Sequence, residues 1–356
     1  MMIDKIVSQP GSNWTKGDGS HNNIVISSRI RLARNIEKLP MPYLKNESSS
    51  FTVLEKTRLA YEELNLKEQG YEFYNMRDIP SLARQIMTEK HLISPEFAVA
   101  GINQGLIISA DESVSIMINE EDHLRIQVLY SGLQLEEAWA KADKTDDLLE
   151  SKLNYAFDEK KGYLTACPTN VGTGVRASVM VHLPALVLTK QAKRLFSTLN
   201  QLGLTVRGLY GEGTEAMGNF YQVSNRTTLG QKESEIIQNL TSVVLQITEE
   251  EEEIRQSLSK NTEIQLKDKV GRAIGTLKNA YILSSREALD LLSDVRLGQD
   301  LGIIDTGLTN QELTELIIES QPAFLQQYRG QSMEPLERDV TRAKLFKETL
   351  TKGGIK

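Results

Sequence analysis

A single cysteine, Cys167, in 356 residues rules out an intrachain disulfide and fits a reducing compartment. No run of about 18 apolar residues exists, so no membrane span is expected. Met1 to Trp14 holds no apolar stretch long enough for a signal peptide, which makes the cytoplasm the expected location. There is no G-x-x-x-x-G-K-[ST] loop and no strand-led G-x-G-x-x-G, so neither of those nucleotide-binding folds is indicated. Four histidines and one cysteine have no zinc-site spacing, and no resident metal is expected. Positive charge is also short: the net charge of -7 argues against bulk attraction to nucleic acid or anionic membrane.

What remains is ordinary for a soluble globular chain, with 40% hydrophobic and 25% charged residues and length enough for two domains. Residues 1–23 are rich in Gly, Ser, Asn and Asp and read as a mobile lead-in. Residues 24–254 carry β segments at Ile24–Ile26, Leu106–Ile108, Val114–Ile118, His123–Tyr130, Ala177–His182, Leu204–Tyr210 and Phe220–Val223. Helical patterns lie at Phe51–Lys67, Ile79–Glu89, Gly132–Phe157 and Glu235–Arg255. The pattern predicts an α+β fold, a mainly antiparallel sheet flanked by helices. The acidic run Glu249–Glu253 reads as a solvated helix face near a domain boundary. Residues 255–356 read as an all-helical domain, with a capping box at Thr309 and Glu312 and a last helix after Pro335.

The chemistry-bearing residues are mostly arginines at strand ends. Arg29 and Arg31 share one face of an extended segment, because strand side chains alternate. Arg125, Arg176 and Arg207 follow further on. Guanidinium forks bind phosphate oxygens bidentately, so their convergence would suit a polyphosphate. Glu120 and Glu121 read either as a solvated turn or as a positioned base. Cys167 reads either as a small buried hydrophobe or as a thiolate stabilised by nearby cations.

Four segments in order, SSRIRLARN (Ser27 to Asn35), NEEDHLRI (Asn119 to Ile126), CPTNVGTGVRASV (Cys167 to Val179) and VRGLYGEGTE (Val206 to Glu215), resemble the ATP:guanido phosphotransferases, which include creatine and arginine kinases. The resemblance implies that Arg29, Arg31, Arg125 and Arg176 hold the phosphates of ATP, with Mg²⁺ bound through the nucleotide. His91 resembles the family histidine near the adenine nucleotide. Ser27, Ser28, Ile30, Ala177, Ser178, Val179 and Met180 on the strands, and Arg207, Gly208, Leu209, Tyr210, Gly211 and Glu212 later, complete the implied ATP-binding set. Glu121 would orient the acceptor guanidinium and Cys167 would contact it. The second family carboxylate aligns with Glu215, and Glu212 in the same loop could serve instead; the displaced loop arginine, which aligns with Tyr210, favours Glu212.

About two dozen residues precede the first arginine motif, whereas the small-metabolite kinases of the family carry a further helical domain there. That difference, and the C-terminal helices, resemble the branch that phosphorylates arginine side chains of proteins. Its R-D-x-x-R-A motif, which recognises phosphoarginine, reads here Arg338, Asp339, Arg342 and Ala343. The resemblance implies protein substrates with exposed arginine, a role in protein quality control and stress response, allosteric feedback, a homodimer, and a zinc-binding activator and a Clp protease system as partners. A kinase of a free guanidino compound and a non-catalytic phosphoarginine-binding regulator are the alternatives.

Overall fold

From Arg29 to Leu32 within Val25–Arg34, polar and apolar side chains alternate, and a central strand with that pattern needs a different layer on each face. The computed structural model describes residues 2–44, 46–99, 101–209 and 216–352. In chain order, the strands are β1 (Val25–Arg34), β2 (Tyr71–Asn75), β3 (Gly105–Ser109), β4 (Val114–Ile118), β5 (Leu124–Ser131), β6 (Phe157–Asp158), β7 (Gly162–Tyr163), β8 (Val175–His182), β9 (Leu204–Gly208) and β10 (Phe220–Asn225). The helices are α1 (Met2–Ser8), α2 (Glu47–Glu63), α3 (Ser81–Glu89), α4 (Leu135–Glu150), α5 (Pro184–Leu188), α6 (Ala192–Gln201), α7 (Glu233–Asn261), α8 (Glu263–Asn279), α9 (Ser285–Asp300), α10 (Asn310–Glu319), α11 (Pro322–Arg329) and α12 (Pro335–Lys352).

Eight strands form one antiparallel sheet in the order β2-β3-β4-β5-β1-β8-β10-β9, which is the expected α+β architecture. Its apolar face presents Ile30, Leu32, Ile126, Val128, Ala177, Val179 and Val223 to a core shared with α2, α4, α6 and α7. The other face is divided. At one end Ile26, Leu129, Met180 and Phe220 pack under the C-terminal helices with Trp14. At the other end the side chains turn polar, and a cleft opens.

Four expectations need correction. Residues 2–23 are not a loose lead-in. Ile3 and Ile6 on α1 and Trp14 are buried, and the buried Lys90 ammonium donates to the carbonyls of Ile6, Gln9 and Gly11 while pairing with Glu112 at 2.7 Å. Composition signals a coil, but this buried cation needs the three carbonyls of the segment as well as Glu112 to be satisfied. The helix expected to reach Phe157 stops at Glu150, because Leu153 and Tyr155 turn into the core and Tyr155 bridges Ile36. Strand β2, absent from the sequence reading, pairs with β3 at the sheet edge. The acidic run is only partly solvated: Glu249 and Glu253 are exposed, yet Glu251 is fully buried. Its carboxylate accepts from the Ala185 and Leu186 amides at the start of α5 and from Arg255, which also pairs with Asp300. Helix α7 passes residues 254 and 255 without interruption, and the chain turns at Thr262 instead.

Glu251→Ala leaves the buried Arg255 with only Asp300 and the His182 carbonyl and uncaps α5. It is expected to cost about 3–5 kcal/mol in urea unfolding, against within about 0.5 kcal/mol for Glu249→Ala. Equal small losses would mean that the whole run is a solvated face after all.

Candidate active site

The sheet register brings the arginines together. Arg31 lies opposite Gln127 of β5 and Arg176 of β8, while Arg29 lies opposite Leu129 and Ser178. Arg125 pairs with Ala33 and Met117, and Arg207 with Gln222. With a side-chain period of two, all five point to the polar face. They line one cleft of about 660 Å³ together with His91, Gly208 and Leu209. Two glycines make the entry to β8 possible: Gly172 and Gly174 have φ of 114° and 68°, and a Cβ on Gly174 would stand 2.5 Å from an Arg34 nitrogen.

Short polar side chains hold the guanidinium groups in place. Arg29 donates to Gln222 Oε1 at 2.5 Å and to Ser178 Oγ at 3.3 Å, and Arg176 donates to Ser224 Oγ at 3.2 Å. Among the described residues, Arg31 Nε and Arg176 Nε are buried donors with no partner. Burial, then repulsion from Arg125 and Arg176, pulls the Arg29 pKa down to about 10. Arg31 is lowered further, by burial and then by Arg29. Guanidinium nevertheless stays protonated at neutral pH. These shifts record burial first and cation–cation repulsion second, and a polyanion such as a triphosphate would relieve the repulsion.

His91 lies at the end of α3 with φ 59°, its ring tilted against Trp14 at 5.4 Å. Burial first and Arg29 second lower its pKa to about 3, so it is neutral at physiological pH. Of the other expected nucleotide residues, Ser178 braces Arg29, while Ser27, Ser28, Ile30, Ala177, Val179 and Met180 do not line the cleft. Ile30, Ala177 and Val179 are core residues, Met180 packs under the C-terminal helices, and Ser28 donates to the Gly132 carbonyl. They shape the strands that carry the arginines. Tyr210, Gly211, Glu212 and Glu215 lie outside the described residues.

Beside the arginines lies an acidic corner. Glu120 accepts from Arg125 at 2.5 Å and from Ser94 Oγ at 2.7 Å, and its second oxygen takes the Glu121 amide. Glu120 is thereby spent on holding Arg125. Glu121 remains half-exposed, 3.6 Å from Arg125 Nη2. The next two residues anchor the turn. Asp122 Oδ1 accepts from Asn35 Nδ2 and from the Ala166 amide, each at 2.6 Å. The His123 amide donates to Asn35 Oδ1. His123 Nδ1 accepts from the Ile36 amide, so its Nε2 carries the proton and donates to the Pro40 carbonyl. This knot ties the β1 end, the Glu121 turn and the segment leading to Cys167. Cys167 is partly exposed, with Sγ 3.0 Å from Thr169 Oγ1, and it lies near enough to Arg176 to favour that residue's charged form. The bracing roles of Gln222, Ser224, Ser94 and Asp122 were missed in the sequence, where nothing distinguishes a short polar residue facing an arginine from one facing water.

In the C-terminal helices, Arg338 and Arg342 do not form the expected pair of free forks. Arg342 is buried, donating to the carbonyls of Ser320 and Leu283 and pairing with Asp339 at 2.5 Å. Arg338 is half-buried and donates to the Met333 carbonyl. Ala343 is buried beside them. Glu89, next to the cleft residue Thr88, accepts from the Ala323 and Phe324 amides at the start of α11.

A cation cage on one face of an antiparallel sheet, with a carboxylate and a thiol at its rim, defines a guanidino-group phosphotransferase. Residues 52–254 match the ATP:guanido phosphotransferase C-terminal catalytic domain, and the chain belongs to that family. Residues 263–354 match the protein-arginine kinase McsB C-terminal domain. The chain is 52% identical over 350 residues to the protein-arginine kinase of Symbiobacterium thermophilum, covering 98% of this chain and 99% of that one. It is also 52% identical over 341 residues to that of Moorella thermoacetica, covering 95% and 97%. Among solved structures it resembles lombricine kinase (TM-score 0.59, 24% identity, covering 72% of this chain and 76% of that one). The duplicated taurocyamine kinase of Schistosoma mansoni is similar as well (TM-score 0.60, 20% identity, covering 84% and 50%). At those identities the two structures bear on the fold alone.

The phosphate and acceptor sides of the site rest on different contacts, and substitution should separate them. Arg176→Ala is expected to weaken nucleotide binding by about 1.5–3 kcal/mol and to lower kcat further, because charge builds on the phosphoryl oxygens during transfer. Asp122→Ala is expected to leave nucleotide affinity within about twofold while kcat falls, since it unties Glu121 and Cys167 and spares the strands carrying the arginines. Nucleotide titration by calorimetry beside steady-state kinetics reads both; parallel losses in both variants would refute the division.

Proposed function

We propose that the chain is a protein-arginine kinase, moving the γ-phosphoryl of ATP to arginine side chains of proteins. The observation that carries this reading is the arginine cleft sharing Arg125 with the cavity that Glu121 lines, with Cys167 close to Arg176 on the cleft wall. The curated relatives that match nearly the whole chain are named for that activity.

The division of labour follows from charge. Free guanidinium is protonated and a poor nucleophile. Glu121 holds the planar group in line and accepts a proton as the nitrogen attacks. The second carboxylate is Glu212 or Glu215. The bond from the γ-phosphorus to the ADP oxygen breaks as the N–P bond forms. Arg29, Arg31, Arg125 and Arg176 stabilise the charge spread over the migrating oxygens. The cationic lining fits a polyanion, and Mg²⁺, which would neutralise part of its charge, would be held by the nucleotide's own oxygens. The thiol of Cys167 lies close to Arg176, where it would contact the acceptor.

We further propose a catalytic region over 24–254 and a product-reading, self-associating region over 255–356, in a cytoplasmic protein serving stress response and quality control with a zinc-binding activator and a Clp protease. Phosphoarginine would meet Arg338 and Asp339 at the surface, with Arg342 bracing them from below and Ala343 behind. Through Ser320 and α11, that brace continues to Glu89 at the nucleotide cleft, a route for allosteric feedback.

Incubation with ATP and a mixed protein substrate, read by mass spectrometry that preserves acid-labile P–N bonds, should give phosphoarginine, and free arginine should be a poor acceptor. Glu121→Gln is expected to keep ATP affinity and lose at least about 10²-fold in kcat. Full activity in that variant, or free arginine as the better acceptor, would sink the reading. Phosphoarginine titrated by calorimetry should bind the wild type and not Asp339→Ala; equal binding would place any product site elsewhere.

A further inference from the structure

Three cavities run into one another along the acidic rim. The arginine cleft shares Glu96 and Arg125 with a second cavity of about 470 Å³, built around Glu120 and Glu121. That second cavity shares Gln104 and Glu120 with a third, of about 390 Å³, whose walls include Pro40, Met41, Pro42, Glu47 and Ile102. The arginine cleft, the cavity at Glu121 and this third groove therefore adjoin in series, each sharing a wall with the next.

The third groove is built rather than incidental. Asn119 Nδ2 donates to the Ser50 and Asn103 carbonyls, and Asn103 Nδ2 donates to the Glu47 carbonyl and to Ser50 Oγ. These bonds staple the start of α2 and the turn at 101–104 to the residue preceding Glu120. His123 fixes the opposite wall through Pro40. Its ring is neutral by the hydrogen-bond count above, and burial lowers its pKa further. Among the described residues, the charged side chains lining the groove are Glu47 and Glu120, the latter already paired with Arg125. Around it stand large exposed apolar side chains, Tyr43 at 64%, Leu44 at 59%, Phe51 at 55% and Ile102 at 47%. Apolar residues are costly to leave in water and tend to cluster at binding surfaces.

We infer that this groove docks the substrate polypeptide beside its target arginine, accepting an apolar side chain one or two residues away. The inference rests on the protein-arginine kinase reading and specifies the substrate. An extended chain advances about 3.3 Å per residue, so with the arginine beside Glu121 its neighbours reach the adjoining cavity. The apolar rim takes an aliphatic or aromatic residue, and the acidic lining disfavours Asp or Glu there. Segments pairing arginine with buried-type residues are exposed when a protein is unfolded, and the groove selects for that state. A free guanidino metabolite has nothing to place in it.

The test uses the full chain, ATP and pairs of extended peptides with one arginine, differing only in Leu, Ser or Asp at neighbouring positions. Phosphoarginine formation is followed by mass spectrometry. At one position or more, Leu should exceed Ser about tenfold in kcat/KM, mainly through KM, the return for burying part of a leucine side chain, and Asp should fall below Ser. Ile102→Glu should abolish the Leu advantage while leaving the Ser peptide unchanged; Ile102→Ala, a milder change, should reduce it. Equal use of Leu and Ser peptides by the wild type, or full Leu preference in both variants, overturns the groove and leaves the kinase reading intact. Failure to phosphorylate arginine in any peptide or protein removes both.

Discussion

The functional geometry depends on one small polar knot. Asp122 accepts from Asn35 and from the Ala166 amide, and Asn35 in turn receives the His123 amide. Three segments far apart in sequence meet there: the end of the arginine strand, the carboxylate turn and the approach to Cys167. All these groups are buried or nearly so, and a buried polar group left unpaired costs about 1–3 kcal/mol. The cheapest state is therefore the one in which all three segments are in place together. Arg31 lies four residues from Asn35 and Arg125 three from Asp122, both on rigid strands, so the knot sets the distance between phosphate and acceptor sides.

Around the knot the sheet sorts its two faces by chemistry. Alternation puts Ile30, Leu32 and Ile126 on the helix-covered side and Arg29, Arg31 and Arg125 on the other. A sheet that was apolar on both faces would close over the cleft. Burying cations together on one face costs desolvation and adds mutual repulsion, and both lower the pKa values of Arg29, Arg31 and Arg176. The rest of the fold offsets that strain through the apolar face and the C-terminal cover. The same cover reaches the nucleotide cleft through Glu89, so the two parts of the chain are mechanically joined.

The carboxylate pair shows how neighbours acquire different work. Glu120 is turned inward against Arg125 and Ser94, and Glu121 is left at the rim. One supplies rigidity and the other remains available to an incoming group, a division set by which way each residue leaves the turn. The buried Glu251 within an otherwise wet acidic run makes the same point on α7. A charged residue's role follows from the partners that surround it.

By itself the sequence determined the pattern: alternating strands, the order of the four arginine-bearing segments, the capping box at Thr309, and the helical C-terminal region. These are local properties, written in side-chain period and turn chemistry. Tertiary structure decided what locality cannot encode. The lead-in is ordered because Lys90, some 80 residues on, needs its carbonyls. Arg342 is a brace rather than an open fork because Ser320 and Leu283 present oxygens to it. The groove beside Glu120 exists only because α2 and the turn at 101–104 are stapled to Asn119. In each case the deciding partner is distant in sequence, and the cost of an unsatisfied buried polar group selects it.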